Sequence, residues 1–391
     1  MRDHLEAWAR ELGLGATVDA AGNLILRKAA SPGLESAPGV VLQGHLDMVC
    51  QCNSDVAHDF SRDPIAPVLN DGWLMAPGTT LGADNGIGVA LILAVLEDRS
   101  LRHGPLEALL TVDEEAGMGG ARGLAEDALS GRLMLNLDTE AWGEFYLGCA
   151  GGVDVNVSRH GIGEPVPAEH EAWQVVLRGL RGGHSGVDIH EERGNAIKLL
   201  IGVLCDLAPQ FGVRLARLTG GTARNAIPRE AAAVLTLPKG ASEQFGAALK
   251  GWQSTLYSAL SGAEPGLEID FCPFSAVDRV ISGTEQSIWL NSLNAAPCGV
   301  YRQSREITGV VETSNNLGIV ELSPLGGQCN FMVRSLRDSG ARALASEITS
   351  LFALSASTVT TEGYYLGWSP NPSSPLLGVC QAVYEREFTA K

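Results

Sequence analysis

The sequence predicts an α/β fold with an inserted α+β region, and three observations point to it. Val40-Val41-Leu42, Leu106 to Val112 and Leu133 to Leu137 are short apolar runs that read as buried strands separated by helical stretches. Each run ends in polar chemistry: Gln43-Gly44-His45-Leu46-Asp47, Asp113-Glu114-Glu115 and Asp138. From about residue 153 the texture changes to a longer alternation of strand and helix.

Leu5, Trp8, Ala9 and Leu12 recur at helical spacing, so residues 3–13 read as an amphipathic helix. Leu24-Ile25-Leu26 reads as a strand after the Gly22-Asn23 turn, and Ile87 to Leu96 as a helix. In the inserted region, Val175-Val176-Leu177, Ala232 to Leu235, Ile319-Val320 and Phe331 to Val333 read as strands. Stretches near 195–207, 242–260, 284–294 and 340–354 read as helices, which suggests two βαβ-like halves. A loop from Gly363 to Pro375 leads into a last helix with Pro375 in its first turn. Leu376, Val379, Cys380, Val383 and Tyr384 share one face, and this helix is expected to return to the first region.

The 391 residues suffice for two domains. Twenty-eight Lys and Arg against 45 Asp and Glu give a net charge of −17 without a basic block, which argues against nucleic acid as a partner. The eight cysteines are scattered, with no C-x-x-C pair, and read as reduced, mostly buried thiols. The first residues lack the apolar core of a leader, and no apolar run approaches the ~20 residues of a membrane span. A cytoplasmic protein without membrane partners is expected.

In open α/β sheets, ligands bind beyond the carboxyl ends of the strands, and here three such ends carry His, Asp and Glu. His45 and Asp47 either share one face of an extended strand, or Asp47 turns back to hold the imidazole. Asp84 sits in Thr80-Leu81-Gly82-Ala83-Asp84-Asn85-Gly86, directly before a helix, where a capping role is the ordinary reading. Glu114 and Glu115 are adjacent and point in different directions, so one can bind metal while the other faces substrate. Each segment alone also reads as a solvated loop. Together they form a nitrogen and oxygen ligand set without thiolate, which suits zinc, manganese or cobalt.

In order and spacing, Gly44 to Val49, Thr80 to Gly86, Thr111 to Met118 and Asn136 to Glu140 resemble the aminoacyl-histidine dipeptidases, also called cytosol nonspecific dipeptidases, of the dinuclear zinc peptidases and deacylases. The resemblance continues through Gly148 to Gly152, Gly182-Gly183-His184-Ser185-Gly186, Gly221 to Glu230 and Val333 to Ser339. It implies a catalytic domain of residues 1–152 and 365–391 with a lid and dimerisation domain of residues 153–364. It implies two zinc ions per subunit in the complete protein, with cobalt or manganese as substitutes. Asp84 would bridge them, His45 and Asp138 would complete one site, and Glu115 would bind the other ion. Asp47 would orient His45, and Glu114 would act as general base on a zinc-bridged water. His184, in its own or the opposite subunit, would stabilise the oxyanion. Asn225 and Arg334 would hold the substrate, with Arg337 as the alternative for its carboxylate. The implied activity is hydrolysis of dipeptides, Xaa-His or broad, by a homodimer. A tripeptidase, an N-acyl amino acid deacylase and a catalytically dead peptide-binding homologue are the alternatives.

The chain departs from this family in one respect. Its eight histidines end at His190, whereas the family uses a further histidine ligand near its C-terminus. Both ends also look short of the family's length. The expectation is therefore a fragment or truncated product in which these 391 residues alone have little or no activity.

Overall fold

The computed structural model describes residues 1–53, 55–139, 141–260 and 262–388. Glu140, which closes the Asn136 to Glu140 motif, and the last three residues of the expected C-terminal catalytic segment lie outside the described residues. The chain divides into two compact units, Met1–Tyr146 with Ser373–Lys391, and Leu147–Pro372. Gly148 to Gly152 and Tyr365 therefore belong to the second unit.

The first unit contains α1 (Arg2–Glu11), β1 (Gly15–Val18), β2 (Leu24–Lys28), β3 (Val40–His45), β4 (Val68–Asn70), β5 (Trp73–Met75) and α2 (Ala83–Glu97). These are followed by β6 (Leu106–Thr111), the helical turns α3 (Glu114–Gly117) and α4 (Gly119–Arg122), and β7 (Leu133–Asn136). A five-stranded sheet runs in the order β1-β2-β6-β3-β7. Strand β3 is parallel to both β6 and β7, so the carboxyl ends of all three meet at one edge. Leu24, Leu26, Leu42, Ala108 and Leu110 pack against Leu5 and Ala9 of α1 and Ile92 and Leu96 of α2. Ile25, Val41 and Leu109 face the other way, onto Leu124, Ala128 and Leu129. Burial on both faces explains why these strands read as continuous apolar runs rather than alternating ones.

The terminal helix Pro375–Phe388 falls in this unit, but none of its described residues is buried. The face expected to be covered leaves Val379 and Val383 exposed. The helix is held instead by aromatic contacts, Tyr384 with Phe145 and Phe388 with Trp142.

The second unit begins with β8 (Gly151–His160), β9 (Gly163–Pro165), β10 (His170–Arg178), β11 (Gly183–His184), α5 (Ala196–Phe211), β12 (Arg214–Gly220), β13 (Ala226–Ile227) and β14 (Ala231–Pro238). It continues with α6 (Ser242–Ala259), β15 (Glu268–Pro273), β16 (Arg279–Ile281), α7 (Gly283–Ala295), β17 (Gly299–Gln303), β18 (Val311–Ser323), β19 (Gly326–Ser335), α8 (Asp338–Ala353) and β20 (Thr358–Tyr365). A nine-stranded sheet runs β15-β10-β14-β12-β18-β19-β8-β20, with β17 also on β18. Every pairing in it is antiparallel. The βαβ-like halves suggested by the alternation are therefore absent among the described residues, because a βαβ unit needs parallel neighbours. The helices sit where expected, and Ile197, Leu200, Ile201 and Leu204 of α5 lie in the core with Leu344 and Ile348 of α8.

Among the described residues, no helix is long and apolar enough to cross a membrane. All eight cysteines are unbridged, but only Cys329 is buried; Cys50, Cys52, Cys149 and Cys272 are exposed, contrary to the expectation of mostly buried thiols. Cys50 and Cys52 lie in the loop after β3, outside the sheet core.

Candidate metal and substrate site

His45 is the last residue of β3 and only 2% exposed. Its Nδ1 lies 2.9 Å from the main-chain carbonyl of Asp47, an acceptor only, so Nδ1 carries a proton. Nε2 then faces Asp84 Oδ1 at 3.0 Å and Asp138 Oδ1 at 3.4 Å. Ligand atoms of His45, Asp84 and Asp138 all lie within 4.8 Å of one another, and so do those of His45, Glu114 and Glu115.

The backbone explains how residues so far apart in sequence converge. Asp138 follows β7 and Glu114 follows β6, so the parallel pairing with β3 brings them to one edge. Asp84 has φ −84° and ψ 112° at the start of α2, after Gly82 in the left-handed conformation, and the Asp84-Asn85 peptide is cis. Asn85, quoted in the Asp84 motif without a role, is buried and ties the site together. Its Oδ1 accepts the His45 N–H at 3.1 Å, and its Nδ2 donates to the Leu137 carbonyl at 2.6 Å. Glycine at 44 and 88 leaves room for it, because a Cβ at Gly44 would lie 2.3 Å from Asn85 Oδ1 and one at Gly88 2.6 Å from Nδ2. Asp47 reaches the neighbouring strand end: its Oδ2 accepts the Glu115 N–H at 3.0 Å, and its Oδ1 lies 3.5 Å from His45 Nδ1.

Burial and the crowding of acids together shift the proton affinities of the site. Burial, then hydrogen bonding to Asp84, pushes Asp138 up to about 7. Burial raises Glu114 as well, with the charges of Glu115, Asp47 and Asp84 adding to it. For His45, burial opposes the charged form, but Asp138, Asp84, the Asp47 carbonyl and Glu114 outweigh it and the proton is held more tightly than usual. Asp47 is also partly desolvated, yet the backbone N–H groups of Glu115 and Glu114 hold it below its ordinary value.

The second unit gathers a different set. His184 Nδ1 accepts backbone N–H groups from Gly186 and Val187, each at 3.2 Å, so the neutral ring carries its proton on Nε2. Loss of solvent on its packed side, together with the charge of Arg334, lowers the proton affinity of this ring. Asp188 accepts the His184 N–H at 2.7 Å and is itself held by Arg193 at 3.0 Å. His184 pairs with Ala226 across β11 and β13, and the Asn225 carbonyl accepts the Ser185 N–H at 2.8 Å. The Asn225 loop in turn hangs on buried Asn316, whose Nδ2 donates to the carbonyls of Arg224 and Ala226 at 3.1 and 2.8 Å. Asn195 bonds Asn316 Oδ1 at 3.2 Å while capping α5. A Cβ at Gly186 would lie 3.1 Å from His184 Cε1 and 3.3 Å from Arg334 Nε, which places these two side chains around one glycine.

Residues 41–387 match the pattern described as Peptidase family M20/M25/M40. The chain belongs to this family. It is 41% identical over 388 residues to the cytosol non-specific dipeptidase of Escherichia coli strain K12, covering 99% of this chain and 80% of that protein. The crystal structure of aminoacylhistidine dipeptidase from Vibrio alginolyticus superposes with a TM-score of 0.93 at 40% identity, covering 99% of this chain and 79% of that one.

The acidic edge suits a divalent metal on its own geometry. Four carboxylates and one imidazole crowd together, and burial, with the neighbouring acids adding to it, raises the proton affinity of Glu114 and Asp138. Asp47 Oδ1 is buried without a hydrogen-bond partner among the described residues. A cation relieves this repulsion, and the oxygen and nitrogen donors match those zinc takes. Asn85 and Asn316 were missed by sequence reasoning, because each acts through contacts with segments far away in the chain. Glycines flanking the Asp84 motif were the available signal for Asn85.

Proposed function

We propose that this member of the M20/M25/M40 family is a cytoplasmic, zinc-dependent dipeptidase that works as a homodimer through its second unit. The observation that carries the reading is the convergence of His45, Asp84, Asp138, Glu114 and Glu115 at one sheet edge, in a chain about 40% identical to two dipeptidases. His45, Asp84 and Asp138 would hold one ion, and Asp84 with Glu115 the other. When bound, such an ion pair lowers the pKa of water towards ~7 and polarises a peptide carbonyl.

Glu114 is the base in this scheme. Its raised proton affinity fits a carboxylate that must take and return a proton. It accepts a proton as the water oxygen bonds to the carbonyl carbon, then delivers it to the amine nitrogen as the C–N bond breaks. Asp47 fixes the Glu114-Glu115 turn and, through its carbonyl, the His45 tautomer. His184, neutral with its proton on Nε2, donates to the carbonyl oxygen as negative charge builds there. Asn225 and Arg334 hold the substrate, Arg334 by its terminal carboxylate.

The test is hydrolysis of Ala-His, a tripeptide and an N-succinyl amino acid by the metal-loaded complete protein. We expect preferential cleavage of the dipeptide, loss of turnover with EDTA, and a ~10²–10⁴-fold fall in kcat for Glu114→Ala at unchanged zinc content. Preference for the succinyl substrate would make the protein a deacylase. Near-normal kcat in Glu114→Ala would remove Glu114 as the base.

A further inference from the structure

Gly151-Gly152 was singled out by the sequence and is used by none of the roles above. In the sheet of the second unit, Gly152 lies opposite Arg334 on one side and Tyr365 on the other, so the three form a row across β19, β8 and β20. A register shift between Glu362 and Tyr365 brings the tyrosine into this row. With no side chain on the middle strand, the outer two reach each other over it: Arg334 Nη1 donates to Tyr365 Oη at 2.8 Å. A Cβ at Gly152 would lie 2.8 Å from the Tyr365 hydroxyl and 2.9 Å from its ring.

The charge of Arg334 is otherwise unanswered. Among the described residues it makes no ion pair, and its Nε is buried without a hydrogen-bond partner. Arg337 differs, because Glu306 lies 2.5 Å and Glu312 3.4 Å from its guanidinium. A half-buried guanidinium without a counter-ion is costly unless an anion completes it. The Tyr365 hydroxyl accepts from Arg334, which leaves its own proton to give, and no acceptor for that proton is present among the described residues. Burial keeps this phenol protonated well past neutral pH.

We propose that Tyr365 is a second donor of the carboxylate subsite, aligned by Arg334 across Gly152, so that guanidinium and hydroxyl together receive the free C-terminal carboxylate of the dipeptide. This rests on the dipeptidase reading. It adds a neutral donor to the carboxylate contact already given to Arg334, while Arg337, paired with Glu306 and Glu312, takes no part in it.

The experiment compares a dipeptide and its C-terminal amide on the wild-type metal-loaded chain and on Tyr365→Phe, by steady-state kinetics. Calorimetric binding of a phosphinic dipeptide isostere, as free acid and as amide, accompanies it. Phe retains the ring over Gly152, and an unchanged melting temperature checks the fold. The expected result is a roughly tenfold or larger rise in KM and in isostere Kd for the free acid, with kcat and both amide values unchanged. Equal weakening of acid and amide, or no weakening of either, overturns the inference while leaving the dipeptidase reading intact. Isostere binding that is acid-selective and lost in Tyr365→Phe, but without any hydrolysis by wild type, supports the subsite and overturns the peptidase reading instead. A wild type that binds neither isostere and cleaves neither substrate overturns both.

Discussion

The acidic edge of the first unit and the donor cluster of the second solve opposite electrostatic problems. Around His45 the protein gathers half-buried carboxylates, and burial, then the hydrogen bond and charge of Asp84, pushes Asp138 up to about 7, a cost that a cation relieves. Around Arg334 it holds a positive group with no acid partner among the described residues, beside a His184 ring of lowered proton affinity. The first arrangement suits a metal, and in the proposed function the second receives substrate oxygen. They also differ in how they are held. The acids sit at the ends of adjacent parallel strands, so the sheet itself places them. The donors sit on loops and strands positioned by the Asp188 carboxylate, which accepts the His184 N–H, by the Asn316 amide, which donates to the Ala226 carbonyl, and by the room left at Gly152.

This contrast can be broken by substitution. The largest effect is expected at His184: His184→Ala should lower kcat by ~10²–10³ with bound zinc unchanged, measured by turnover and elemental analysis of one preparation. Loss of zinc in that variant would show that the two clusters are not chemically separate. Asn85→Ala strikes the other side. It leaves the His45 N–H and Leu137 carbonyl without a partner, and should weaken zinc binding ~10–100-fold in a calorimetric titration. Unchanged zinc affinity would mean that the strand ends hold the ligands without it. The smallest effect is expected from Asn316→Ala, which unties the Asn225 loop. Urea unfolding should show a loss of about 1–3 kcal/mol, with a raised dipeptide KM and unaltered zinc affinity. A changed zinc affinity there would again join what the contrast separates.

The same contrast explains what the sequence could tell. Strands β3 and β6 were legible because burial on both faces makes them unbroken apolar runs, whereas β7, expected as a third buried strand, covers only one face and leaves Met134 exposed on the other. The site residues at their ends were legible as a group for that reason. The pairing in the second unit was not, because antiparallel neighbours such as β8 with β19 and β20 are far apart in the chain and leave no local period. Buried polar residues were also hidden. Thr313, Ser314, Asn315 and Asn316 carry no apolar pattern, yet all four are buried in β18, with Asn316 holding another loop. Asp47 was expected to orient His45; its main-chain carbonyl stands closer to the ring than its carboxylate does, and no side-chain pattern encodes that.

The most direct measurement is a crystal structure of the zinc-loaded full chain with anomalous data at the zinc edge. Two peaks are expected at the acidic edge. One should lie ~2.0–2.2 Å from His45 Nε2 and from the carboxylates of Asp84 and Asp138, the other at that distance from Asp84 and Glu115. Glu114 should make no bond to either. A single ion bound by His45, Glu114 and Glu115, or zinc found only elsewhere, would contradict the assignment of Glu114 as base and Asp84 as bridge.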